Sequence, residues 1–243
     1  MSATNSNTTI SFRIPGNWEE PRKLVEALPD DHRLTAHSLV LPDGQEVEFN
    51  AVPPDEHFAD VFQSSCRTPL SEGEAAAVNS YTVNVVLSGP GGSLENARAM
   101  MRAASAIIRA GGAGVFIDNS ALGHAGHVWL EMTDTDDVDA MSFAFVSVVN
   151  GESKIWTVGM QALGFADLEM DHACGRGDDV IEVLRYICSS DRPVVDGHII
   201  ASEDGPRYQI VAKKDSMSPS GSPMFNPHGR YQMKSVRRVA EEN

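Results

Sequence analysis

Residues 81–117 read YTVNVVLSGPGGSLENARAMMRAASAIIRAGGAGVFI, and the way this stretch folds decides the architecture. Tyr81 to Leu87 is an apolar run of strand length, and Gly89-Pro90-Gly91-Gly92 is a turn. Ser93 can cap a helix in which Leu94, Ala97, Met101, Ala104, Ile107 and Ile108 form one stripe while Arg98, Arg102 and Arg109 lie outside. Gly111-Gly112 ends that helix, and Ala113 to Ile117 is a second apolar strand. The helix either links two halves of the molecule or joins its flanking strands in one βαβ unit.

Upstream, Thr8 to Ile14 alternates polar and apolar side chains as a half-buried strand does, and Glu19 to Leu28 places Leu24, Val25 and Leu28 at helical spacing. Leu34 to Leu41 and Glu46 to Val52 flank Pro42-Asp43-Gly44-Gln45, a hairpin signal because Asp and Gly both tolerate positive φ. Asp55 can cap a helix carrying Phe58, Val61 and Phe62, and a short helix follows over Ser71 to Val78. Downstream come a helix around His127 to Met132 and strands Met141 to Val149 and Lys154 to Val158 turned by Asn150-Gly151. A helix over Asp178 to Cys188 and strands Val194 to Ile200 and Tyr208 to Ala212 follow, the last two joined through Glu203-Asp204-Gly205-Pro206.

Residues 8–88 therefore read strand, helix, strand, strand, helix, strand, and 113–200 can be read the same way. The expected class is α+β, with a mixed, mainly antiparallel sheet or sheets, helices on one face, and two ferredoxin-like βαββαβ halves as the candidate topology. The corresponding division is an N-terminal half at 1–88, a C-terminal half at 89–213 packed into the same globular unit, and a loosely held tail at 214–243. Within that tail Ser216 to Pro223 resembles a linker.

Charge and composition exclude several functions. The 243 residues carry a net charge of -15, with a pI near 4.8. Phosphate recognition needs Lys and Arg, so nucleic acid is not an expected partner. Residues 213–243 are +3, which leaves an acidic body suited to a basic protein partner. No apolar run approaches the roughly 20 residues that cross a bilayer, and Met1 to Asn7 lacks the pattern of a signal peptide. Cys66, Cys174 and Cys188 follow neither a disulfide nor a zinc-ribbon spacing, so a reducing cytoplasm is the expected location, with no membrane partner. The oligomeric state is not encoded.

Four constellations could carry chemistry. Gly89 to Ser93 lies at a helix N-terminus, where amides can hold phosphate, but it lacks the endings of a dinucleotide fingerprint or a P-loop. His124, His127 and Glu131 offer imidazole and carboxylate to a transition metal, without the spacing of a zincin helix. Asp118-Asn119-Ser120 ends a buried strand, where side chains project into any crevice. Asp196 and His198 share a strand face, but no Gly-x-Ser-x-Gly accompanies them. The ligand-binding candidates are Asp118, Asn119, Ser120, His124 and His127; the metal candidates are His124, His127 and Glu131. No catalytic set and no cofactor motif is readable.

The chain resembles the bacterial family catalogued as domain of unknown function 4261. The resemblance rests on the Asp43-Gly44 hairpin with Ala51-Val52-Pro53, the strand and helix from Tyr81 to Arg109, and Gly114-Val115-Phe116-Ile117. It continues through Trp156-Thr157-Val158-Gly159-Met160, Ala162-Leu163-Gly164, Asp167-Leu168-Glu169 and Asp196-Gly197-His198. It covers roughly residues 8–235, implies no established activity, and implies a last short strand at Tyr231 to Lys234. Together these readings favour a non-catalytic binding or protein-interaction module with an acidic surface. The alternative is an enzyme or a small-molecule or metal binder with a pocket near Asp118 to Glu131.

Overall fold

The computed structural model describes residues 8–201 and 205–236. The polar N-terminal segment, most of the turn read at Glu203-Asp204 and the last residues of the basic tail lie outside the described residues.

In chain order β1 (Thr9–Gly16), α1 (Pro21–Ala27), β2 (Arg33–Leu34), β3 (Ser38–Val40) and β4 (Glu46–Val52) come first. Next are α2 (Phe58–Ser65), α3 (Glu72–Asn79), β5 (Val83–Pro90), α4 (Leu94–Arg109), β6 (Gly114–Ile117), β7 (Leu122–Ala125), α5 (Gly126–Thr135) and α6 (Val138–Phe145). The remainder is β8 (Ser147–Asn150), β9 (Lys154–Val158), the single turn α7 (Met160–Leu163), β10 (Asp167–Asp171), α8 (Gly177–Ser189), β11 (Ile199–Ala201), β12 (Arg207–Lys213) and β13 (Arg230–Ser235). The class is α+β, built on two sheets.

The first sheet has the order β2-β3-β4-β5-β1-β6-β7, and every neighbouring pair is antiparallel. β5 and β6 both run antiparallel to β1, so they are parallel to each other, and α4 joins them across β1. The 81–117 stretch is thus a split βαβ unit with β1 in the gap. That placement corrects the ferredoxin-like halves: within residues 8–88 β1 pairs antiparallel with β5, and no parallel pair forms there. It also carries β6 and β7 back into the first sheet, so the sheet crosses the expected division at residue 88.

Local chemistry explains these elements. The Ser93 hydroxyl accepts from the Asn96 amide, and α4 is then buried nearly all round. One side packs on β1 and β5, the other is closed by α5, α6 and α7, and five alanines (Ala97, Ala99, Ala103, Ala104, Ala106) allow the close approach. Arg98, Arg102 and Arg109 reach out to Asp136, Asp43 and Asp134. The Asp43-Gly44 hairpin forms, but only Gly44 takes a positive φ, 85°, while the Asp43 carboxylate accepts from the Gln45 amide. Ser71 and Glu74 cap α3 reciprocally.

The second sheet has the order β11-β12-β13-β10-β9-β8, and only β10 and β13 are parallel. Two expectations fail here. Met141 to Val149 is not one strand: Asp137 accepts from the Ala140 amide, α6 buries Met141, Ala144 and Phe145 at helical spacing, and only β8 is extended. The aromatic and β-branched run conceals that period. Nor is the described part of the tail loose. Residues 214–229 form a strap fixed by the buried Asn226, and β13 sits between β12 and β10.

A continuous apolar core joins the two sheets through α4, α5, α6 and α8. At its centre the Phe12 and Trp129 rings meet edge-on at 5.3 Å, with Phe145 beside them. A smaller cluster of Phe58, Phe62, Val78, Tyr81, Ala113 and Phe116 lies outside it. β6 therefore contributes Val115 and Ile117 to one core and Phe116 to the other.

Candidate functional site

The turn before α4 is closed to anions. The Gly91 amide donates to the Thr8 carbonyl and the Gly92 amide to the Ala162 carbonyl, while Asn96 reaches back to the Gly91 carbonyl. The turn instead locks α4 against α7.

Asp118, Asn119 and Ser120 turn from β6 into β7, and their side chains diverge. Asp118 accepts from Arg13 at 2.8 Å. Asn119 accepts from the Ser11 amide and donates to the carbonyls of Thr9 and Pro223. The buried Ser120 hydroxyl lies by Gly159 and has no partner. The histidines do not join them. His124 is buried between Trp129 and Phe143 and donates through Nε2 to the Ala144 carbonyl; burial lowers it to about 4, so it is neutral. His127 is exposed on the first turn of α5 and holds Glu74 at 2.8 Å. Desolvation opposes ionisation of Glu74, but bonds from His127 and Ser71 outweigh it and hold the carboxyl at about 2.

The metal set is corrected accordingly. His124 is committed to a carbonyl, His127 to Glu74, and Glu131 stands exposed on α5. Among the described residues no three His, Cys, Asp or Glu side chains could share an ion. Asp196 accepts from the Ala212 amide, and Gly197, at φ 80°, makes the turn that brings the chain alongside β12. Asp196 and His198 therefore lie in the turn before β11 rather than on one strand face, and the His198 backbone bonds Val195 and Ile210.

The densest buried polar cluster lies around α7 and β10, where the sequence offers no candidate site. Gly159 and Gly164, at φ 110° and 90°, bracket α7 and leave no room for a Cβ, which would strike the carbonyls of Phe145 and Gly92. That tight turn directs Gln161 inward. Its Nε2 donates to the carbonyls of Asn119 and Pro223, both at 3.2 Å, and its Oε1 has no partner among the described residues. Below it Asp167 accepts from the Thr157 hydroxyl, the Met160 amide and Asn226 Nδ2. Burial outweighs these three donors and raises Asp167 to about 7. The Asn226 amide also holds the Phe165 carbonyl and accepts from the His228 amide, while its backbone N–H donates to Ser216. Glu169, equally buried, is neutralised by Arg230 and Lys154, and Arg230 continues to Asp215.

Two concavities flank these features. A cleft of about 360 Å³ runs beside the strap, lined by Thr8, Thr9, Asn119, Gln161, Pro223 and Phe225 among others. Of the five expected ligand-binding residues only Asn119 reaches it. A larger groove of about 500 Å³ lies between α1 and strands β2, β4 and β5, walled by Trp18, Leu24, Val25, Leu34, Phe49 and Val83. Trp18 is anchored there by its indole N–H on the Ala110 carbonyl at 2.8 Å. Val25, expected to face inward, is 49% exposed at the groove, because α1 is short and presents only Leu24 to the core.

Fold and concavities together define an α+β protein of two sheets, with an apolar groove beside α1 and a cleft of mixed lining beside the strap among the described residues. Comparison with models of known families, with curated proteins and with solved structures finds no match.

Proposed function

We propose that this chain is a non-catalytic protein-interaction module that takes an apolar, basic segment of a protein partner into the groove beside α1. The groove carries this reading: a preformed apolar concavity on an acidic chain, with a fixed indole as its floor. Residues 17–52, which supply most of its walls, hold eight Asp and Glu against three Lys and Arg. Arg22 and Lys23 are both turned to Glu26, which leaves the surrounding carboxylates to attract a cation. The ring nitrogens of His32, His57, His124, His127 and His172 bond carboxylates or carbonyls rather than a hydroxyl or thiol, in keeping with a binding role. Burial pushes the Cys66 and Cys188 thiols up to about 11 and about 12, which fits inert cysteines in a reducing cytoplasm. The resemblance to the domain of unknown function 4261 family supplies no competing activity.

The test uses two amphipathic helical peptides, one built of Lys and Leu and one of Glu and Leu. The basic peptide binds and weakens with salt, the acidic one does not, and Val25→Asp with Leu34→Asp costs the basic peptide at least about tenfold, the equivalent of about 1.4 kcal/mol. Unchanged affinity in that double variant, whose added charge would itself attract Lys, rules the groove out.

A further inference from the structure

Gln161 is fully buried, yet only half of its amide is used. Its two partners on Nε2 are both carbonyl oxygens, which fixes the amide orientation: the NH2 group must face Asn119 and Pro223, and Oε1 is the atom left beside it without a donor among the described residues. An acceptor buried without a donor is a costly arrangement that native proteins rarely leave unfilled. The strap contributes to this pairing a proline, whose ring nitrogen has no hydrogen. Pro223 supplies a carbonyl to Gln161 Nε2 and to Asn119 Nδ2, and it cannot return a donor from its own N.

We propose that the cleft beside the strap is a binding site for a small uncharged ring carrying a carbonyl next to an N–H, as in a lactam or the edge of a nucleobase. Such an edge matches a primary amide in both directions, as glutamine pairs with base edges elsewhere. The ring carbonyl takes the place of the Pro223 carbonyl as acceptor for Gln161 Nε2 and Asn119 Nδ2, and the ring N–H donates to Oε1. Two hydrogen bonds are exchanged like for like and one is added. The strap lifts at Pro223 for this exchange while Asn226, held by Phe165 and Asp167, stays as its fixed end.

The remaining walls agree with this ligand. Among the described residues no Asp, Glu, Lys or Arg lines the cleft, so a charged ligand would lose its hydration to uncharged walls. Phe225 and Pro227 offer flat apolar surfaces, and the volume of about 360 Å³ lies in the range of small-molecule sites.

The probes are uracil, uridine and 1,3-dimethyluracil, titrated into the whole chain while the side-chain amide signals of Gln161 and Asn119 are followed. Uracil moves both signals, and 1,3-dimethyluracil, which keeps ring and carbonyls but has no N–H, binds at least about tenfold more weakly. Uridine binding as tightly as uracil assigns a nucleoside to the site, and weaker binding assigns the free ring. Phe225→Ala, at a ring that stands exposed on the strap, weakens uracil severalfold. If none of the probes moves these signals, if the dimethyl compound binds as well as uracil, or if Phe225→Ala leaves affinity unchanged, the proposal is overturned and Oε1 holds only water.

Discussion

The groove beside α1 and the cleft beside the strap are made by opposite means. The groove is assembled from side chains at the regular spacings of α1, β2, β4 and β5, nearly all apolar and supplied by residues 18–83. The cleft gathers residues 8–9, 119, 161 and 221–227, four segments far apart in the chain. Beneath it Thr157, Asp167, Glu169 and Asn226 are buried as deeply as the leucines around them. The first region is held by close packing on a regular backbone ladder with one anchored indole, and the second by packing plus a set of directional side-chain bonds that must all be present together.

That contrast can be broken most forcefully at the apolar centre. Phe12→Ala removes a ring packed on both Trp129 and Phe145 and is expected to cost about 3–5 kcal/mol in chemical denaturation. Asn226→Ala should cost less, about 2–3 kcal/mol, by removing the donor from the Phe165 carbonyl and from Asp167 Oδ2. Its distinguishing sign is fast amide exchange across residues 216–229 while β1 and β5 stay protected; protection retained in the strap would mean that packing, not Asn226, holds it.

The last effect is a slope, small at each step and spread over several pH units. Asp167 holds its proton in the fold up to about pH 7, whereas in the unfolded chain it ionises near the ordinary 3.8. Between about pH 4 and 7 the folded form binds the extra proton, so this residue makes stability fall as pH rises through that window, by at most about 1.4 kcal/mol per pH unit, and level off above it. Asp167→Asn should flatten the difference; parallel stability curves for the two proteins over that window would refute the assignment. Glu74, held at about 2, acts only at lower pH and in the opposite sense, its stabilisation being lost as pH falls from about 4.5 towards 2.

Legibility in the sequence follows the same contrast. Strand alternation in β1, the Asp43-Gly44 turn, the Ser93 cap and the α4 stripe are all short-range signals, and each produced the expected element. α6 was misread because Phe143, Phe145 and Val146 favour strands individually, while the period that buries Met141, Ala144 and Phe145 spans only one turn. β7 was missed because Leu122-Gly123-His124-Ala125 has neither β-branched residues nor alternation; its partner β6 makes it a strand. Gln161 was invisible for another reason. A single glutamine between glycines gives no periodic signal, and its burial depends on a strap some 60 residues away. The Gly159 and Gly164 pair around it was the available clue, since two glycines five apart about an apolar turn mark a backbone that cannot take side chains.

The position of β13 governs the order in which the molecule can be made. Its neighbours are β12, close in the chain, and β10, whose Asp167 lies opposite Arg230. During synthesis the first sheet, with α4 across it, is complete once residue 125 has left the ribosome. The second remains two separate pieces, β8-β9-β10 and β11-β12, until residue 235 follows, with Glu169 exposed and without Arg230. The last described strand thus acts as a keystone: without it β10 and β12 are two open strand edges.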